Sequence, residues 1–78
     1  FSMSDAKSFL QKYGRAVGER EILMVQMMAN DVPREKMAER LDVKYKALAM
    51  RIAKLRKSVG VKSDITLTLL FYKNGLID

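Results

Sequence analysis

Residues 33–59 read PREKMAERLDVKYKALAMRIAKLRKSV, and this stretch decides the fold. Its apolar residues recur at spacings of three and four, the period of a helix with one buried face. Pro33 suits a first helical turn, where its missing N–H is no loss. Met37, Ala38 and Leu41 then share one face of a short helix over residues 33–41. Asp42-Val43 leaves room only for a tight link. From Lys44 the stripe restarts as Leu48, Ile52, Leu55 and Val59, a longer helix over residues 44–59 that Gly60 stops. A short helix joined tightly to a longer one is the helix-turn-helix unit.

Working outward, residues 19–30 form a third helix. Glu19 and Glu21 sit in its first turn, where they favour the positive end of the helix dipole. Its apolar residues cover most of its circumference, so it is buried on several sides, with the methionines as flexible core filling. Residues 63–73 form a last helix with Ser63 as N-cap and Asp64 at the dipole end, closed by Asn74-Gly75. Its apolar residues exceed what a short terminal helix hides, and Leu67, Leu70 and Phe71 are expected to meet a second subunit. Residues 4–12 read as a short first helix with Ser4 as N-cap and Gly14 as stop, or as a linker lying on the domain. Phe1-Ser2-Met3-Ser4 is otherwise left out of the fold reasoning. No period-two alternation marks a strand. The expected division is residues 1–16 as linker or short helix and 17–78 as the helix-turn-helix domain.

The charge is unevenly placed. Residues 1–43 carry seven basic and seven acidic groups, whereas residues 44–62 carry seven basic groups and no acid. The whole net charge of +6 therefore sits in and just after the longer helix of the unit. A one-sign stretch this dense attracts polyanions. The chain has neither cysteine nor histidine. Disulfides, thiol chemistry and the usual near-neutral general base are excluded, and a metal site would need carboxylates alone. No enzyme activity, cofactor or metal is expected. No segment is long and apolar enough to span a membrane, and no signal peptide is visible.

Four short motifs then carry a resemblance. Val17-Gly18-Glu19-Arg20-Glu21 stands where Leu-Thr-x-Arg-Glu opens the DNA-binding domain of LuxR/GerE/FixJ-type regulators. Glu35-Lys36-Met37-Ala38-Glu39-Arg40-Leu41-Asp42-Val43 is similar to the family's Lys-Glu-Ile-Ala-x-x-Leu-x-Ile. Ser58-Val59-Gly60-Val61 resembles Lys-Leu-Gly-Val, and Gly75-Leu76-Ile77 matches the family's close. The four stand in register without a gap over residues 17–77. The resemblance implies an all-α, four-helix helix-turn-helix domain, here with an extra short N-terminal helix. It implies binding of double-stranded promoter DNA in the bacterial cytoplasm as a homodimer through the last helix, in a protein that also carries a sensing or receiver domain.

The departures fall on the helix that would enter the major groove. Where the family reads Ser, two variable residues and Thr-Val-Lys-x-His, this chain reads Lys44, Tyr45, Lys46, Ala47, Leu48, Ala49, Met50 and Arg51. Leu48 keeps the buried role of the Val. Lys44 replaces a capping hydroxyl and can contact phosphate but cannot cap, at a cost of roughly 1 kcal/mol. Opposite the core stripe lie Lys46, Ala49, Met50, Ala53 and Lys57. The centre of that face is apolar and its ends are basic, so bidentate base reading is absent there. Phosphate contacts are expected from Arg34, Lys44, Lys46, Arg51, Lys54 and Lys57, and thymine-methyl contacts from Ala49, Met50 and Ala53. Arg51 either packs along Leu55 or reaches phosphate, and Tyr45 either bonds phosphate or packs on the preceding helix. The alternative is that the patch at Ala49, Met50 and Ala53 docks a protein, such as RNA polymerase or another regulator.

Overall fold

A computed structural model describes residues 3–78, with side chains from residue 5 onward. Five helices follow in order: α1 (Met3–Tyr13), α2 (Glu19–Ala29), α3 (Arg34–Arg40), α4 (Tyr45–Val59) and α5 (Asp64–Lys73). The described residues contain no strand, so the fold is all-α. Residues 3–13 are helix rather than linker, one residue longer at each end than the apolar edge suggests. Ser4 falls within α1, which begins at Met3, so it is not the N-cap expected of it.

Local chemistry sets the boundaries. Ser63 caps α5 with a reciprocal pair: its Oγ accepts from the Thr66 N–H at 3.1 Å, and its own N–H donates to Thr66 Oγ1 at 3.2 Å. At the start of α2, Glu21 Oε1 accepts from the Gly18 N–H at 2.9 Å. Pro33 and Lys44 occupy the N-cap positions of α3 and α4, and neither offers a side-chain cap.

Four helices end the same way. The N–H groups of Val32, Val43, Val61 and Leu76 each donate at 3.0 Å to the carbonyl five residues earlier, on Met27, Ala38, Arg56 and Phe71. The residue before each donor is left-handed: Asp31 (φ 61°), Asp42 (φ 53°), Gly60 (φ 79°) and Gly75 (φ 74°). After α1 the constraint is closeness instead. A Cβ on Gly14 would lie 2.7 Å from the Leu10 carbonyl oxygen, so only glycine fits.

α2 packs on α5, and α3 on α4, around one core. Met24, Val25, Met37, Leu48, Ile52, Leu67 and Phe71 are fully enclosed, each contributing about 1.5–3 kcal/mol of transfer free energy. Met24, Val25 and Met27 of α2 belong to the core, whereas Met28 is half-buried and Leu23 and Ala29 are exposed, so α2 is covered on one broad side rather than all round. α1 joins this core through Phe9, whose ring meets Phe71 edge-on at 5.4 Å and Tyr13 at 4.9 Å.

That packing corrects one expectation. Leu67 and Phe71 are enclosed in the chain's own interior and so cannot meet a second subunit, whereas Leu70 is half-buried against that core. The outward stripe of α5 is Ile65, Leu69 and Tyr72, exposed at 79%, 46% and 50%. Among the described residues, no helix is long and apolar enough to cross a membrane.

Candidate nucleic-acid interface

The acid-free stretch winds into α4 as its apolar period requires, and the period also aims its charges. Leu48, Ile52, Leu55 and Val59 line the buried side. At about 100° per residue, Lys46, Met50, Ala53 and Lys57 fall opposite, and all four are exposed. Met50 is the most open of α4's large apolar side chains, at 66%. Ala49 is half-buried at the edge of this face, and Lys54 stands exposed at its other edge. Lys44, at the N-cap, is exposed, and the Tyr45 ring is 51% exposed. Among the described residues, none of Lys44, Lys46, Arg51, Lys54 and Lys57 forms an ion pair.

The α3–α4 turn that holds this helix is tied from a third element. Arg20, near the start of α2, donates from Nη2 to the Leu41 carbonyl at 3.0 Å. That carbonyl belongs to the last turn of α3 and would otherwise look to water. Arg20 therefore couples α2 to the turn that sets the direction of α4.

Arg34 behaves differently from the expectation placed on it. Its Nη2 donates to Asp64 Oδ2 at 2.6 Å, while Arg56 Nη1 donates to Asp64 Oδ1 at 2.6 Å. Asp64 opens α5, Arg34 opens α3, and Arg56 lies in the last turn of α4, so one carboxylate joins three helices. Partial burial pushes the Asp64 carboxyl up, but hydrogen bonds and charge from Arg34 and Arg56 outweigh it and hold its pKa below the ordinary carboxylate value. Both guanidiniums are thus engaged by Asp64, which offsets one of their two charges, and Arg34 is ion-paired rather than free.

On the other flank of α4, a groove of about 380 Å³ opens between the helix and the α1–α2 link. Arg51, Lys54, Leu55 and Ser58 form one wall, and Arg15 and Glu21 stand across from them. Arg51 is half-buried here and lines the groove together with Leu55. Arg15 carried no periodic signal, because it lies in a link where helical spacing does not apply. No carboxylate cluster fit to hold a metal occurs among the described residues. Comparison with protein-family models, with curated proteins and with solved structures yields no match to this chain.

Proposed function

We propose that this chain is a DNA-binding helix-turn-helix module of the LuxR/GerE/FixJ type, serving as the output domain of a bacterial transcription regulator in the cytoplasm. In this reading α2 to α5 are the family's four helices and α1 is an addition. α4 enters the major groove, which admits one helix, and α3 braces it. The observation that carries the proposal is the outward side of α4, where Lys46 and Lys57 opposite the apolar buried stripe, Lys54 at the edge of that face and Lys44 at the N-cap are exposed without an ion-pair partner among the described residues. Affinity comes mainly from phosphate contacts. Ala49, Met50 and Ala53 offer only methyl and thioether contacts to bases, so direct readout is weak and DNA shape supplies the rest. Pairing of two copies uses the outward stripe of α5 at Ile65, Leu69 and Tyr72, since Leu67 and Phe71 are enclosed.

Duplex affinity against salt tests this. Counterion release gives a slope of about −0.9 per neutralised phosphate, so three contacts alone imply roughly a fortyfold loss between about 50 and 200 mM salt. A flat response, or no binding at the lower salt, overturns the proposal. Selection from a random duplex pool would then grade specificity, with a shallow preference expected.

The exposure of Met50 supports a second reading, in which the patch of Ala49, Met50 and Ala53 docks RNA polymerase or another regulator. Met50→Asp separates the two: it abolishes protein capture under the second and only reduces duplex binding under the first.

A further inference from the structure

The geometry points to the groove between Arg15, Arg51 and Lys54 as a cradle for one backbone phosphate of a bound duplex, on one flank of α4. This rests on the DNA-binding reading and adds a residue from outside the helix-turn-helix unit. A helix in the major groove has a phosphate strand on either side, because groove and helix are of similar width. The two flanks of α4 are chemically unlike. Arg56 follows Arg51 by five residues, about 140° round the helix, and so lies on the opposite flank. There Asp64 engages both Arg56 and Arg34 at 2.6 Å. On the Arg51 flank no such ion pair forms: Arg15, Arg51 and Lys54 have no ion-pair partner among the described residues. Glu21, the carboxylate that lines the same groove, accepts from the Gly18 N–H through Oε1 at 2.9 Å and sets one negative charge against the three positive ones.

Arg15 is also held in place before any ligand arrives. The N–H groups of Ala16 and Val17 both donate to the Tyr13 carbonyl, at 2.7 and 3.0 Å, and Val17 is buried at 3% exposure. Gly14 sits against the Leu10 carbonyl on the other side. With the backbone pinned at both neighbours, only the side chain of Arg15 needs ordering when it grips an oxyanion, which lowers the entropic cost of the contact. Two guanidinium-bearing side chains and one ammonium-bearing side chain lining one groove suit the several oxygens of a phosphodiester. The duplex is therefore gripped asymmetrically, more firmly by the strand passing the α1–α2 link.

The test compares Arg15→Gln with Lys7→Gln, which removes the same formal charge from an exposed position on α1 outside the groove. Duplex binding is followed by fluorescence anisotropy across a salt series, and circular dichroism confirms that both variants fold. Arg15→Gln is expected to make the salt slope shallower by about one and to bind about eightfold more weakly at about 0.1 M salt. Lys7→Gln is expected to keep the wild-type slope. Wild-type binding with an unchanged slope in Arg15→Gln removes the cradle and leaves the DNA reading standing. Equal slope changes in both variants reduce Arg15 to diffuse charge and also overturn it. Absence of wild-type duplex binding removes the DNA reading, and the cradle falls with it.

Discussion

Replacing Asp64 by Asn tests the link between three helices with almost no change of shape. The carboxylate accepts one bond from Arg34 and one from Arg56, each at 2.6 Å. A hydrogen bond to a charged group contributes about 1.5–3 kcal/mol when enclosed. Here the side chains are 38%, 31% and 29% exposed, so screening brings each bond toward the roughly 0.2–1 kcal/mol of open ion pairs. The expected loss is about 1–2 kcal/mol, or roughly 4–16 °C in Tm for a domain of this size. Its pH dependence identifies its source. The native pKa of Asp64 lies below its unfolded value, which is near ~3.9. The stabilisation is therefore complete above the unfolded value and vanishes as pH falls through the native one. Urea denaturation of both proteins followed by circular dichroism should give a constant gap from about pH 7 to 5 that closes in stronger acid. A gap that does not narrow as pH falls below the unfolded value, or equal stability at neutral pH, would refute the assignment of the clamp to the ionised carboxylate.

Three further outcomes follow from the same packing. Asp42→Gly relieves a left-handed residue at φ 53° and should raise stability by about 0.5–1 kcal/mol in the same denaturation assay, with Asp31→Gly behaving alike. Gly14→Ala should destabilise by at least ~1 kcal/mol, because the added Cβ would stand 2.7 Å from a backbone oxygen that cannot swing aside. Ile65→Asp combined with Leu69→Asp should leave the fold intact and shift any dimer to monomer in sedimentation, whereas Leu67→Asp should unfold the chain, since Leu67 is fully enclosed.

Much of the helical layout is legible along the chain because its causes are local. The stripe Leu48, Ile52, Leu55 and Val59 needs only its own spacing to say which side of α4 is inside. The same spacing sends Lys46, Met50, Ala53 and Lys57 outward, and the structure places them so. Ser63 and Gly60 act on neighbours within five residues, and both perform the roles their chemistry suggests. What periodicity misjudges is which of several apolar faces meets which partner. α5 is apolar nearly all round, so its own pattern cannot choose between Leu67 with Phe71 and Ile65 with Leu69 as the inner face. The choice is made by α2, which packs on α5, and by Phe9 of α1, whose ring meets Phe71 from more than sixty residues earlier in the chain.

Charge divides along the same line. That residues 44–62 are uniformly basic is a property of the chain alone, and so is the direction in which a helix presents them. Which of those cations remain free is decided by contacts between elements. Asp64 reaches back eight residues to Arg56 and thirty to Arg34, and pairs with both while offsetting one of their two charges. The α1–α2 link brings Arg15 beside Arg51 and Lys54 without any spacing rule to announce it. Local sequence sets the helix and its inward and outward sides because a helix is a short-range object. Ion pairing and groove formation depend on how separate helices meet in space, and only the packed chain decides that.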